Sequence, residues 1–254
     1  MKRKILSLSL AIIMAVMPVA AFAGEIDNKT VSEGEPVQNR PSEENQDINI
    51  NGTTEPEEQN KHNTPNETKQ SVFKDVAADA WYADAVNFVT TRGIMNGTSG
   101  DMFSPEQSAT RGMLAMIINN MEGVADKVYW SYFDVKEDAW YANAVAWCSE
   151  TGVMKGYGEG KFGPEDSVTR EQLVSILYRY AVYKNYSNLE TNGVELLNYK
   201  DYADVSGYAG GPMQWALKNS IISGKEGNLL DPKGVASRAE IAQIIRNFMV
   251  YYNV

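Results

Sequence analysis

Three arginines carry the most chemical information in this sequence. Arg111, Arg170 and Arg238 stand in "ATRGMLAMI", "SVTREQLVSI" and "ASRAEIAQI", each directly after a threonine or serine that opens an apolar-periodic run. Thr110, Thr169 and Ser237 read as helix N-caps, which places each arginine at the first helical position. The unpaired N–H groups there carry about half a positive charge, which disfavours a cation. Capping boxes explain the Thr169/Gln172 and Ser237/Glu240 pairs but leave the arginines unexplained, and "TRGM" lacks the box because Met113 holds its third position. Two partners would reconcile the placement. One is an aspartate of the same segment, Asp75, Asp134 or Asp204; the other is an external carboxylate or phosphate, favoured together by the guanidinium fork and an open helix N-terminus. Both hold if the aspartate orients the arginine.

Other reactive groups are few. The single histidine, His62, lies in a polar stretch, and the single cysteine, Cys148, reads as a small buried helix residue. Serine-protease-like triads, Cys-His pairs, histidine zinc sites and internal disulfides are thereby excluded. Trp81 and Trp140 begin helical runs and serve either as core or as stacking surfaces for a sugar ring. The glycines of "GYGEGKFG" neither follow a buried strand nor open a helix, so they read as turn residues rather than a phosphate loop.

The elements that must position these groups recur along the chain. Asp75, Trp81, Tyr82, Gly93, Gly97, Phe103, Pro105, Thr110 and Arg111 fall on Asp134, Trp140, Tyr141, Gly152, Gly156, Phe162, Pro164, Thr169 and Arg170. A third unit keeps the frame with Asp204, Tyr208 at the tryptophan position after a two-residue contraction, Trp215, Gly224, Leu230, Pro232 and Arg238, and with Gly210, Gly211 and Pro212 at the start of its first helix. Each unit predicts a first helix, a glycine-containing turn, a short extended segment and a capped second helix. One unit is too small to bury its apolar stripe, so three are expected to pack about a common axis. The resulting division is residues 72–123, 130–183 and 201–254 for the units, with a strap over 184–200.

Upstream, Lys2, Arg3 and Lys4 precede an apolar run to Met17 and the Ala21-Phe22-Ala23 site, the pattern of a secretory signal peptide over residues 1–23. Residues 24–71 hold eleven acidic side chains against four basic ones and almost no large apolar residue, and are read as a disordered acidic tether able to recruit a protein partner. The whole chain carries a net charge of -10. Without a polybasic surface, nucleic acid and anionic lipid are poor partners, and an anion must be gripped locally. No membrane insertion is expected after signal cleavage.

At "FKDV", "WYADAV", the paired glycines, Phe-x-Pro and Thr-Arg, recurring at consistent spacing, the chain resembles S-layer homology repeats over nearly all of residues 72–254. That resemblance implies a mainly α, pseudo-trimeric spindle of three repeats. It also implies an exported protein of the Gram-positive cell wall or S-layer surface, held noncatalytically by secondary cell-wall polysaccharide, often through a pyruvylated N-acetylmannosamine. By position, its glycan-binding residues are Arg111, Arg170 and Arg238; Asp75, Asp134 and Asp204; Trp81, Trp140 and Tyr208; and Gly97, Gly156 and Gly224. Unequal grooves are expected, with the Arg170 groove nearest the family pattern. No cofactor or metal is implied. The alternatives are an assembly protein whose grooves or acidic tether bind a protein, and a wall-polysaccharide hydrolase using Asp134 and Glu165.

Overall fold

The computed structural model describes residues 73–124 and 132–254. The signal peptide and acidic tether expected from the sequence lie outside the described residues. Six α-helices follow one another: α1 (Ala83–Thr91), α2 (Arg111–Glu122), α3 (Ala142–Glu150), α4 (Arg170–Tyr183), α5 (Gly210–Lys218) and α6 (Arg238–Tyr252). Short 3-10 turns at Glu195–Asn198 and Tyr202–Asp204 precede α5. Among the described residues extended segments meet only in isolated bridges, without a sheet, and no helix is long and apolar enough to cross a membrane.

The helices divide into two kinds by how they start. α2, α4 and α6 begin on Thr110, Thr169 and Ser237, whose side chains accept from the third helical N–H, and the last two complete a capping box. α1, α3 and α5 start from Tyr82, Tyr141 and Ala209 without a side-chain cap, out of the turns that precede them. Each short helix packs against the long helix of a neighbouring repeat: α3 on α2, α5 on α4, and α1 on α6. The last contact joins the first helix to the last, so the repeats close on one another and no repeat buries its stripe by itself.

At the centre, three backbone hydrogen bonds run in a cycle. Ala109 donates to Ala236, Val168 to Ala109 and Ala236 to Val168, at 3.2, 3.0 and 2.8 Å, and all three residues are fully buried. Around them, Phe103, Phe162 and Leu230 occupy equivalent buried positions, as do Val89, Cys148 and Ala216 on the short helices. Burial pushes the Cys148 thiol up to about 12, so it stays an inert apolar filler. The strap is pinned where Tyr178 and Tyr252 donate to the carbonyls of Leu189 and Ser187.

Each repeat is staked by an aspartate accepting two consecutive N–H groups of its extended segment. Asp75 takes Phe103 and Ser104, Asp134 takes Phe162 and Gly163, and the third repeat uses Asp201, which takes Leu230 and Asp231 at 2.8 and 2.7 Å. The equivalence expected at Asp204 is therefore corrected. Asp204 ends the exposed 3-10 turn, and the frame instead starts at Tyr199, whose ring abuts Gly224 as those of Phe73 and Tyr132 abut Gly97 and Gly156. Six residues separate Asp75 from Trp81 and Asp134 from Trp140, whereas seven separate Asp201 from Tyr208, an insertion rather than a contraction. The sequence misled because "YADV" copies the "FKDV" pattern three residues downstream of "YKDY".

Replacing Asp201 with alanine is expected to cost about 2 to 3 kcal/mol in urea denaturation, and Asp204→Ala less than ~0.5. Burial raises the carboxyls of Asp134 and Asp201, but the backbone N–H bonds outweigh it and hold both below the usual aspartate range. A carboxyl with a depressed folded-state pKa stabilises the fold above its unfolded pKa and loses that contribution as pH falls through the folded value. The denaturation midpoint should therefore drop progressively below about pH 4.

Candidate functional site

The first three N–H groups of each long helix are already taken. Arg111 and Gly112 donate to Asp166 and Pro164, Arg170 and Glu171 to Gly234 and Pro232, and Arg238 and Ala239 to Gln107 and Pro105. The third N–H goes to the cap. The expected open N-terminus is thus filled by the backbone of another repeat, and any anion must be held by side chains.

Nor does an aspartate receive the arginines. Arg111 Nε and Nη2 donate to the carbonyls of Phe162 and Lys155, Arg170 to those of Leu230 and Ser223, and Arg238 to those of Phe103 and Asn96. All six distances lie between 2.6 and 3.1 Å, and the arginines are only 5 to 6% exposed. Repeat one thus grips repeat two, repeat two grips repeat three, and repeat three returns to repeat one. The aspartates still orient the arginines, but through a peptide: Asp75 accepts from the Ser104 N–H of the peptide whose Phe103 carbonyl holds Arg238, and Asp134 and Asp201 do the same through Gly163 and Asp231 for Arg111 and Arg170. Two carbonyl dipoles aimed at a guanidinium offset the unfavourable helix start.

What remains open is a groove above Arg238 and another above Arg170. A groove of about 480 Å³ joins Arg238, the Ile94–Thr98 segment, α2 through Met113, Met116, Ile117 and Asn120, and Trp140. A second, of about 560 Å³, joins Arg170, Ile221–Glu226, α6 through Glu240, Gln243, Ile244 and Asn247, and Trp81. Each draws its arginine from one repeat, its loop and helix from the next and its indole from the remaining one. The indoles are more than 60% exposed, standing edge-on to Tyr82 and Tyr141. Gly97 and Gly224 line the grooves, where a Cβ would strike the ring beneath. Large exposed indoles beside a buried cation form a stacking surface with an electrostatic anchor, an arrangement suited to a sugar.

By repeat position, Arg111, the Lys155–Gly156–Tyr157 segment, α4 and Tyr208 correspond to these groups. The Arg111 guanidinium lies 4.5 Å from the Tyr157 ring centre. Burial and a bond from its hydroxyl to Glu171 push Tyr208 up to about 12. The structure therefore brings Arg170, Arg238, Gly97, Gly224, Trp81 and Trp140 to the two grooves, and leaves Asp204 on the exposed 3-10 turn. It adds residues that the short motifs missed: Tyr157 against Arg111, and, in the two grooves, Lys225, Glu240 and the tenth residue of α2 and α6, Asn120 and Asn247. Position counting from the repeated arginine would have found the last set.

The S-layer homology domain profile matches residues 72–112, 131–174 and 198–242, the third match starting beside Tyr199 rather than at Tyr202. The chain belongs to the S-layer homology family. Domains of this family generally anchor proteins to the cell wall and bind its polysaccharide, which places them at the cell surface. Among its relatives, an exoglucanase of Acetivibrio thermocellus is 31% identical over 70% of this chain and 16% of its own length. An amylopullulanase of Thermoanaerobacterium thermosulfurigenes is 30% identical over 68% of this chain and 9% of its own. The S-layer protein Sap of Bacillus anthracis is 30% identical over 68% of this chain and 20% of its own. The chain spans no more than about a fifth of these S-layer homology relatives.

Removing the Arg238 side chain strands two buried carbonyls and opens the junction between the last repeat and the first. Arg238→Ala is expected to lose about 3 kcal/mol in denaturant unfolding, and Arg238→Lys most of that, because an ammonium cannot span both carbonyls as the fork does.

Proposed function

We propose that the three repeats form a pseudo-trimeric anchor that retains an exported protein at the Gram-positive wall without catalysis. Its ligand is secondary cell-wall polysaccharide, recognised through an acidic, pyruvylated amino sugar in the inter-repeat grooves. One observation carries the reading: a guanidinium edge, a glycine-floored loop and a projecting indole recur together in grooves assembled from three repeats. Multiple equivalent grooves on a repeating polymer give avidity, whereas catalysis needs one asymmetric set of groups. The relatives support it as well. An exoglucanase, an amylopullulanase and S-layer proteins share only this portion with the chain, as expected of a module that serves unlike cargo.

The carboxylates of the hydrolase alternative have other work. Both oxygens of Asp134 accept backbone N–H groups, and Glu165 accepts the Tyr141 hydroxyl at 2.9 Å.

The mature chain is expected to pellet with purified walls of its own organism at moderate salt and to release no reducing ends from the polymer. Trp81→Ala combined with Trp140→Ala should weaken pelleting roughly tenfold while shifting the melting temperature little, since stacking on exposed indoles contributes about 1 kcal/mol each. Failure of the unmodified protein to pellet would overturn the anchor.

A further inference from the structure

The loops that hold the three arginines offer the same carbonyl from different residues. Nη2 of each arginine donates to the residue just before the repeated glycine: Asn96 before Gly97, Lys155 before Gly156 and Ser223 before Gly224. Of the three, only Asn96 bears a side-chain amide. An Asn-Gly pair is the dipeptide most open to cyclisation, because the glycine nitrogen, unshielded by a Cβ, can reach the amide carbon of the residue before it. The surroundings leave it free to do so. Asn96 is exposed, and neither its side chain nor the Gly97 N–H makes a hydrogen bond among the described residues. In repeat two the matching Gly156 N–H is tied to the Tyr132 hydroxyl at 3.2 Å, a partner that Phe73 has no hydroxyl to supply.

Arg238 favours both halves of the reaction. The cyclising nucleophile is the deprotonated Gly97 amide, whose negative charge resides largely on the Asn96 carbonyl oxygen. The guanidinium donates to that oxygen at 2.6 Å and stabilises the charge as it forms. A new bond joins the Gly97 nitrogen to Asn96 Cγ, the Cγ–Nδ2 bond breaks, and the amide leaves as ammonia with the proton taken from Gly97. Water then opens the five-membered imide. Polarised by Arg238, the former main-chain carbonyl is the more electrophilic of the two, so water adds there and its bond to the Gly97 nitrogen breaks. The nitrogen regains a proton from that water, and the acid formed gives its own to the ammonia. The chain now runs through the former side chain as an isoaspartate, one methylene longer, and the old carbonyl is a free carboxylate at the guanidinium.

We propose that Asn96–Gly97 is a self-modifying site that closes the Arg238 groove to anions as the protein ages. Arg238 is the one charged residue lining that groove, so a carboxylate fixed covalently at residue 96 pairs with its only cation and competes with any anion arriving from outside. The Arg170 groove already holds such a carboxylate, Glu240, 3.5 Å from the Arg170 Nη1. The Arg238 groove acquires its own with time. The cyclisation depends on no reading of function, whereas its effect on retention rests on the wall-anchoring proposal.

The test incubates the mature chain at growth temperature in neutral and mildly alkaline buffer beside Asn96→Ser, which carries the serine of repeat three at this position. Peptide mapping by mass spectrometry follows residue 96, with the exposed Asn192–Gly193 pair of the strap, outside both grooves, as the reference. Residue 96 is expected to gain about 1 Da. Most of the product should resist an aspartate-directed protease, as isoaspartate does, and should form roughly tenfold faster per pH unit while the Gly97 amide is still mostly protonated. Wall pelleting by the aged chain should weaken roughly tenfold with its helical circular dichroism retained. Aged Asn96→Ser, still modified at residue 192, should keep its own starting affinity. An intact Asn96 after prolonged alkaline incubation overturns the site. Isoaspartate at residue 96 with pelleting unchanged overturns closure of the groove and leaves the anchor standing. A fresh chain that fails to pellet overturns the anchor, while the mass measurement still decides the cyclisation.

Discussion

The cycle of hydrogen bonds among Ala109, Val168 and Ala236 is the constraint on which the rest depends, because it brings three helix starts together at one buried point. A short extended segment at that point has no sheet to join, and its N–H and C=O groups must still be paired once water is excluded. Three such segments satisfy one another only if each donates to one neighbour and accepts from the other. That closure dictates threefold repetition, small side chains at the axis, and a first helix that packs on the last. It also explains why the first helical N–H groups meet backbone carbonyls of a different repeat rather than solvent or ligand.

The arginines extend the same closure outward. A helix start is electrostatically poor for a cation, yet each guanidinium reaches two carbonyls in the next repeat, and an aspartate in that repeat fixes one of the two peptides. Arginine fits where lysine would not, because the donors must diverge toward two acceptors in fixed positions. The buried cation is then both a clamp between repeats and the floor of a groove. Structural and recognition roles therefore coincide in one side chain, so truncating it disturbs the fold as well as the surface.

Once the frame is closed, the repeats can diverge around it. Gly112 lies against the Tyr141 ring, where a Cβ would come within 2.9 Å, which is why repeat one has no larger residue at that helical position. Repeat three has Ala209 in place of Tyr82 and Tyr141, and the buried Glu171 of repeat two meets Lys233, Ser206 and Tyr208 there. Lys233 itself replaces Glu106 and Glu165. These departures form a compensated set, a buried carboxylate matched by a cation that the other repeats do not carry. The grooves inherit the divergence: one wall is apolar over Arg238, the other internally paired over Arg170.

By itself the sequence determined the family, the six helices, the Thr/Ser caps and the three arginines at helix starts, because these rest on local signals: periodicity, capping chemistry and recurrence at fixed spacing. It also marked Cys148 as buried and the glycines as turn residues. It did not determine what the arginines touch, since Arg238 finds its acceptors at Phe103 and Asn96, more than a hundred residues away. It chose Asp204 over Asp201 because a four-residue pattern is too short to fix register, whereas the ring of Tyr199 against Gly224 and two backbone N–H groups on one carboxylate admit a single frame.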